Sequence, residues 1–308
     1  MPYDDEDFLQ RVESIRTYRK GERRAPHKPL LLLYAIAELT RGRRQLSFLT
    51  VKEVLEPLLD AYAPPVASRH QPELPYWHLA SDGLWEVEDA ENLARQRSGF
   101  PTMAALRSSS GSLPRGFADR ISASPRLRYD VVSLLLEQHF APSVHEDILA
   151  DVGLTQEPPP VVADRNNSNL GTRKRDPQFR KDVLNAYEYR CAFSGFQAAL
   201  GGSYFGCEAA HVHWHCYDGP DSVANGIALE PTIHKLFDAG AWSLTDDRRI
   251  LVSAKFTGTE TTVARIREHH GTHLREPLPG SSLLKPAFIR WHRESNLGGV
   301  FRTPALPL

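Results

Sequence analysis

The sequence predicts an α+β protein of two domains. The N-terminal half is mostly helical and carries a small aromatic β-wing. A linker joins it to a C-terminal half ordered as strand, loop, strand, helix and hairpin. Three observations predict this. Apolar residues recur at helical spacing through much of residues 5–140. Residues 156–175, QEPPPVVADRNNSNLGTRKR, are rich in Pro, Asn and charge with little periodicity, so they read as a linker between domains at 1–155 and 176–308. Residues 208–253 then alternate short apolar runs with turn signals around one short helix.

Residues 5–20 place Phe8, Leu9, Val12 and Ile15 on one helix face. Pro29–Thr40 reads as a buried helix. Thr50 is expected to cap a third helix, VKEVLEPLLDAY, which Pro57 kinks or breaks. YWHL and LWEV read as aromatic strands around a Ser81-Asp82-Gly83 hairpin turn. Residues 114–140 return to helix, and helices followed by a β-wing suggest a winged-helix-like reader domain. Further on, CEAAHV is a strand, DGPDS a turn and NGIALE a second strand. PTIHKLFDAG is a short helix with Pro231 near its start and Gly240 past its end, and WSLTDDRRILVS is a hairpin.

Composition narrows the class. At 308 residues, two domains are the default, and 41% hydrophobic with 24% charged is ordinary for a globular protein. No apolar run approaches the ~20 residues of a membrane span, and an acidic N-terminus is unlike a signal peptide. Three cysteines, an odd number, fit a reducing cytoplasm. The net charge is −1, but residues 95–128 hold seven Arg against one acid, Asp119, and residues 171–181 are also basic. These two runs are candidate phosphate-binding patches.

The chemistry lies in His211, Asn225, His234 and Asp238, at separations of 14, 9 and 4 residues. His234 and Asp238 share a helix face and can hold one divalent cation, with Mg, Mn, Ni and Zn all suited to imidazole plus carboxylate. His211, ending a strand, suits a general base because its ordinary pKa lies near neutrality. Asn225 can orient that base or bind the metal. Residues 180–260 thus resemble the HNH (ββα-metal) endonucleases, and AAHV…NGIALEPTIHKLFDAG is similar to the branch found in bacterial restriction enzymes. The resemblance implies His211 as general base, Asn225 as middle residue and His234 as last histidine. Asp238 stands where colicin nucleases place another metal ligand. Many relatives carry Asp or His before the base, whereas this chain has Ala210. Glu208, His213, His215 or Asn225 is left to supply the missing ligand. No CxxC pair is present, and Ser194 occupies the partner position of Cys191, so a structural zinc is not expected.

APHKPLLLLYAIAEL, LPYWHLASDGLWEV and the Arg/Ser/Gly-rich loop after them resemble the sulfur-binding domain of phosphorothioate-dependent type IV restriction endonucleases. That family joins this domain to an HNH nuclease. The resemblance implies an apolar cup of Pro75 and Tyr76 flanked by Leu74 and Trp77, with polar contacts from His27 and Lys28. Base reading would come from Arg107, Ser109 and Arg115. The implied partner is double-stranded DNA carrying phosphorothioate linkages, with Mg, Mn or Ni as cofactor. Since one pocket cuts one strand, a homodimer is expected. Two rivals remain: a reader of methylated or hydroxymethylated bases, with Trp77 and Trp85 as an aromatic cage, and a non-catalytic DNA-binding protein with a degenerate HNH fold.

Overall fold

The computed structural model describes residues 5–17, 19–20, 23–66, 69–154, 176–297 and 299–308. The expected linker at 156–175 lies outside the described residues, as does the 171–175 part of the second basic run. The chain divides into two compact units. One comprises Met1–Tyr18, Ala25–Ala63 and Ser68–Thr172; the other comprises Arg19–Arg24, Pro64–Ala67 and Arg173–Leu308. No described helix is long and apolar enough to cross a membrane.

In the first unit, α1 (Asp5–Glu13) buries Phe8 and Val12. The short strands β1 (Arg19–Lys20) and β2 (Arg23–Arg24) pair antiparallel and belong to the second unit. Helix α2 (His27–Thr40) is apolar on all sides, with Leu30, Leu31, Leu32, Leu33 and Ile36 fully buried, so it forms the centre of the unit. Its one buried acid, Glu38, is held by Arg43 and Arg41, whose guanidinium groups keep the carboxyl below its usual range against the effect of burial. After β3 (Gln45–Ser47), α3 (Phe48–Tyr62) is capped by Ser47 rather than Thr50, with Ser47 Oγ accepting the Thr50 N–H at 3.1 Å. Pro57 does not end this helix.

The aromatic segment departs from expectation. YWHL is not a strand: Tyr76, Trp77 and His78 belong to α4 (Glu73–His78), and Leu79 opens a 3-10 turn at Leu79–Asp82 that ends on left-handed Gly83. Pro75 falls in the first turn of α4, where a missing N–H costs nothing, and burial of Tyr76 outweighs its strand preference. Of LWEV only β4 (Glu86–Val87) is extended. The sheet is therefore not a local hairpin wing. Its order is β3-β5-β4, with β5 (Ser110–Ser112) central, and its strands come from distant parts of the chain. Gly111 is required there, because a Cβ would meet the buried Trp85 ring at 2.5 Å. Helix α5 (Met103–Arg107) precedes β5, and the expected helix over 114–140 is two, α6 (Arg115–Ala123) and α7 (Pro125–His139). They part at Ser124, whose side chain caps α7. Helix α8 (His145–Val152) closes the unit.

The second unit follows the expected order. Helix α9 (Pro177–Ala186) and a hairpin, β6 (Ala198–Leu200) with β7 (Ser203–Phe205), precede the central pair. Strand β8 (Glu208–His211) runs antiparallel to β9 (Gly226–Leu229), with His211 opposite Gly226. Helix α10 (Pro231–Asp238) and the hairpin of β10 (Trp242–Leu244) and β11 (Ile250–Val252) come next, then α11 (Glu260–Arg267) and α12 (Pro286–Arg293). Val183, Ile227, Leu229, Phe237, Trp242 and Ile289 are fully buried between these elements. Gly226 lets α9 lie against β9: a Cβ there would meet Val183 Cγ2 at 2.3 Å. That packing brings α9 against both β8 and β9.

Candidate functional site

His211 ends β8 with its ring stacked on Phe179 of α9, centroids 3.9 Å apart. Its Nε2 lies 2.7 Å from Asp221 Oδ1. Asp221 Oδ2 accepts the Asp176 backbone N–H at 3.0 Å and lies 3.7 Å from His215 Nε2. Burial pushes the Asp221 carboxyl up, but the Asp176 N–H and His211 outweigh it and leave the carboxyl below its ordinary value.

Asn225 is fully buried. Its Oδ1 accepts the His213 N–H at 2.8 Å, and its Nδ2 donates to the carbonyls of His213 and Pro220 at 2.9 and 3.0 Å. The earlier alternatives for this residue are thereby separated. The side chain is engaged in tying the loop between β8 and β9, which corrects the expectation of Asn225 as a metal ligand.

His234 sits between two carboxylates. Its Nδ1 is 2.8 Å from Glu208 Oε2 and its Nε2 is 3.1 Å from Asp238 Oδ2. Burial alone would lower this imidazole, yet Asp238 and Glu208 raise it to about 9. The two carboxylates differ in setting. The Glu208 side chain is 49% exposed, whereas that of Asp238 is 2% exposed and its Oδ1 accepts the Trp214 Nε1–H at 2.8 Å. One cation can take only one imidazole nitrogen. The open side is Nδ1 with Glu208, and the Asp238 side is closed by protein. Among the described residues no group of three or more His, Cys, Asp or Glu side chains is gathered as a metal cage. A cation here would therefore rest on Glu208 and His234 and complete its shell with water or phosphate, as Mg²⁺ commonly does. Of the other stand-ins for the missing ligand, His215 borders Asp221, and His213 stacks on Trp291 at 4.3 Å.

In the first unit, α4 turns Leu74 outward at 39% exposure and leaves Trp77 half-buried, while Pro75 is buried. Tyr76 is fully buried against Phe48 and Trp85, at ring distances of 5.0 and 5.6 Å, with its hydroxyl 3.2 Å from Ser109 Oγ. Burial pushes that phenol up to about 12. Tyr76 thus backs the helix and does not wall a surface cup, which corrects its expected role. The same contact removes Ser109, 5% exposed, from base reading. Lys28 Nζ is 2.5 Å from Asp82 Oδ2, with side chains 12% and 5% exposed, and His27 Nε2 is 3.3 Å from His70 Nδ1.

The ScoMcrA-like DNA sulfur-binding domain family matches residues 5–157, and the HNH endonuclease family matches residues 191–245. The chain carries a DNA sulfur-binding domain and an HNH endonuclease domain. Similar solved structures include the sulfur-binding domain of ScoMcrA complexed with phosphorothioated DNA: 27% identity, covering 48% of this chain and 95% of that chain, TM-score 0.43. The sulfur-binding domain of SprMcrA with phosphorothioated DNA is 28% identical over 49% of this chain and 95% of that chain, TM-score 0.41. The type IV phosphorothioation-dependent restriction endonuclease ScoMcrA is 26% identical over 47% of this chain and 33% of that chain, TM-score 0.39. No curated protein matches the chain.

The arginine run of the sulfur-binding domain is less available than its count suggests. Arg120 binds Asp5, Arg126 binds Asp130, and Arg128 donates to the Ile121 carbonyl. Arg95 donates to the Ala90 and Gly99 carbonyls and lies 5.1 Å over the Trp77 ring. Arg97 and Arg107 are exposed, and Arg115 is 93% exposed, 3.9 Å from Asp119. In the HNH domain, sequence reasoning named Glu208 only as one option and missed Asp221. DGPDS has the composition of a turn, and a turn aspartate carries no periodic signal that marks it as facing a histidine ten residues away.

Proposed function

We propose that this protein is a restriction endonuclease that recognises phosphorothioate-modified DNA and hydrolyses a phosphodiester bond nearby. The observation that carries the reading is the pairing in one chain of a sulfur-binding domain with an HNH domain in which Asp221 holds His211 and Glu208 forms a part-exposed pair with His234.

His211 takes the proton of the attacking water, acting as general base. Glu208 and His234 would hold the divalent metal, which would stabilise charge on the phosphate and on the leaving 3′-oxygen. Carboxylate and imidazole donors suit Mg, Mn or Ni. Asp238 orients His234 through the opposite nitrogen, and Trp214 orients Asp238. Glu208→Ala is therefore expected to raise the Mn²⁺ concentration for half-maximal cleavage by about 10–100-fold, with recovery in excess metal. An unchanged metal requirement would remove Glu208 from the site.

Sulfur is larger, softer and less strongly hydrated than oxygen. An apolar seat penalises a phosphate oxygen that must shed its water and accepts sulfur at lower cost. Leu74, Pro75 and the half-buried Trp77 on α4 are the remaining candidates for that seat, with Arg107 and Arg115 as exposed cations for base or phosphate contact. Pro75→Ala keeps the helix turn but reshapes the seat, so it should reduce the preference for sulfur over oxygen roughly tenfold, the scale of a methylene-sized misfit. Binding of matched sulfur and oxygen duplexes checks this, and an unaltered ratio would place the seat elsewhere.

The deciding experiment uses the full chain on duplexes that carry a phosphorothioate, 5-methylcytosine or no mark, each with Mg²⁺, Mn²⁺ or Ni²⁺. Cleavage of the phosphorothioate duplex alone is expected. Cleavage that follows 5-methylcytosine would overturn the reading, and loss of all nicking would leave only a DNA-binding protein. Trp85 is 1% exposed, so the aromatic cage of the modified-base alternative loses one wall. Cutting both strands calls for two copies of the single HNH pocket, as in a homodimer.

A further inference from the structure

We infer that Asp221 is a positioning residue for the hydrolysis, forming a carboxylate–imidazole dyad with His211 that sets which ring nitrogen acts as base. The inference rests on the reading of His211 as general base. Three contacts define the geometry of the pair. Asp221 Oδ1 lies 2.7 Å from His211 Nε2, and the two side chains are 11% and 9% exposed. Asp221 Oδ2 is aimed by the Asp176 backbone N–H at 3.0 Å, at the N-cap of α9. The same helix lays Phe179 flat against the imidazole, at an interplanar angle of 17°. The ring can neither tilt away from the carboxylate nor turn over without breaking one of these contacts.

Asn225 fixes the two halves of the dyad to each other. Its amide binds the backbone of His213, two residues after the base, and the carbonyl of Pro220, the residue before Asp221. The middle residue of the motif thus spans the loop from the base to the acid that orients it.

The chemistry follows from the partner. An ionised carboxylate only accepts hydrogen bonds, so neutral His211 must carry its hydrogen on Nε2. Nδ1 then holds the lone pair that takes the proton from water. When that proton arrives, the imidazolium stays bonded to Asp221, which stabilises the charge formed. Among the described residues, Asp221 and His215 face His211 from its own loop, and α9 presents the neutral Phe179 ring.

The test compares Asp221→Asn with Asp221→Ala in the full chain, on DNA that the wild type cuts. Asn keeps the shape, but with its oxygen held by the Asp176 N–H it turns its NH₂ toward Nε2. That donor forces the hydrogen onto Nδ1 and removes the base. Cleavage by Asp221→Asn should therefore fall by about tenfold or more in kcat, with KM for DNA unchanged, and the loss should equal or exceed that of Asp221→Ala. A merely structural brace predicts the reverse order, because Asn is the gentler replacement. Imidazole ¹⁵N shifts at high pH give a second measurement: Nε2–H in wild type and Nδ1–H in Asp221→Asn. Wild-type activity in Asp221→Asn, with His211→Ala inactive, would overturn the dyad and leave the base intact. Full activity in His211→Ala would instead overturn the base itself, and the dyad with it. An Nδ1–H tautomer in the wild type would overturn the dyad even if the Asn variant failed to fold.

Discussion

Replacing His211 with Ala is expected to slow cleavage by about 10²–10⁴-fold, the usual contribution of a positioned general base. DNA affinity should change little. The imidazole is 9% exposed and occupied by Asp221 and the Phe179 ring, so it offers little surface for duplex contact. The imidazole supports the reaction by taking a proton from water in the transition state, and ground-state binding does not use it. Single-turnover cleavage at saturating metal, alongside binding of the same duplex, separates the two effects. Cleavage within a few-fold of wild type would mean that another group is the base. A parallel loss of binding would mean that the histidine supports the fold or the DNA surface.

Tyr76→Ala is expected to destabilise the sulfur-binding domain by about 3–5 kcal/mol, the range for emptying a large aromatic site in a core. The ring is fully buried between Phe48 and Trp85, and truncation also removes the hydroxyl contact to Ser109, whose own hydroxyl keeps its bond to the Leu106 carbonyl at 2.8 Å. Tyr76→Phe retains the ring and loses one hydrogen bond, so its cost should be near 1 kcal/mol. Denaturant unfolding of the pair of variants measures the difference. Tyr76→Phe should keep the full sulfur preference, because a hydroxyl pointed at Ser109 does not reach DNA. A Tyr76→Ala protein as stable as wild type, or a Tyr76→Phe protein blind to sulfur, would return Tyr76 to the surface cup.

The contrast between these two residues explains what was legible. His211, Asn225, His234 and Asp238 act through local geometry: a strand end, a turn and two positions one helical turn apart. The sequence by itself therefore determined the order of elements in the HNH domain and the placement of His234 and Asp238 one helical turn apart. Segments α1 and α2 were legible for the same reason, since apolar spacing writes a helix face directly.

The rest depends on pairs far apart in sequence, and no local pattern encodes them. Lys28 meets Asp82 across 54 residues, and Arg120 meets Asp5 across 115. Those contacts spend charge that composition alone would assign to DNA. YWHL carries strand-forming residues, yet it folds as helix because Pro75 fits a first turn and Tyr76 gains a buried site between Phe48 and Trp85. Glu208 faces His234 only because β8 lies beside α10, and Asp221 faces His211 only because Asn225 and the N-cap of α9 fold the loop back. The sequence determined the order of elements in the HNH domain and the local spacing of His211, Asn225, His234 and Asp238. Tertiary structure alone decided which nitrogen each carboxylate engages, because that choice is set by elements that pack together in space rather than by neighbours along the chain.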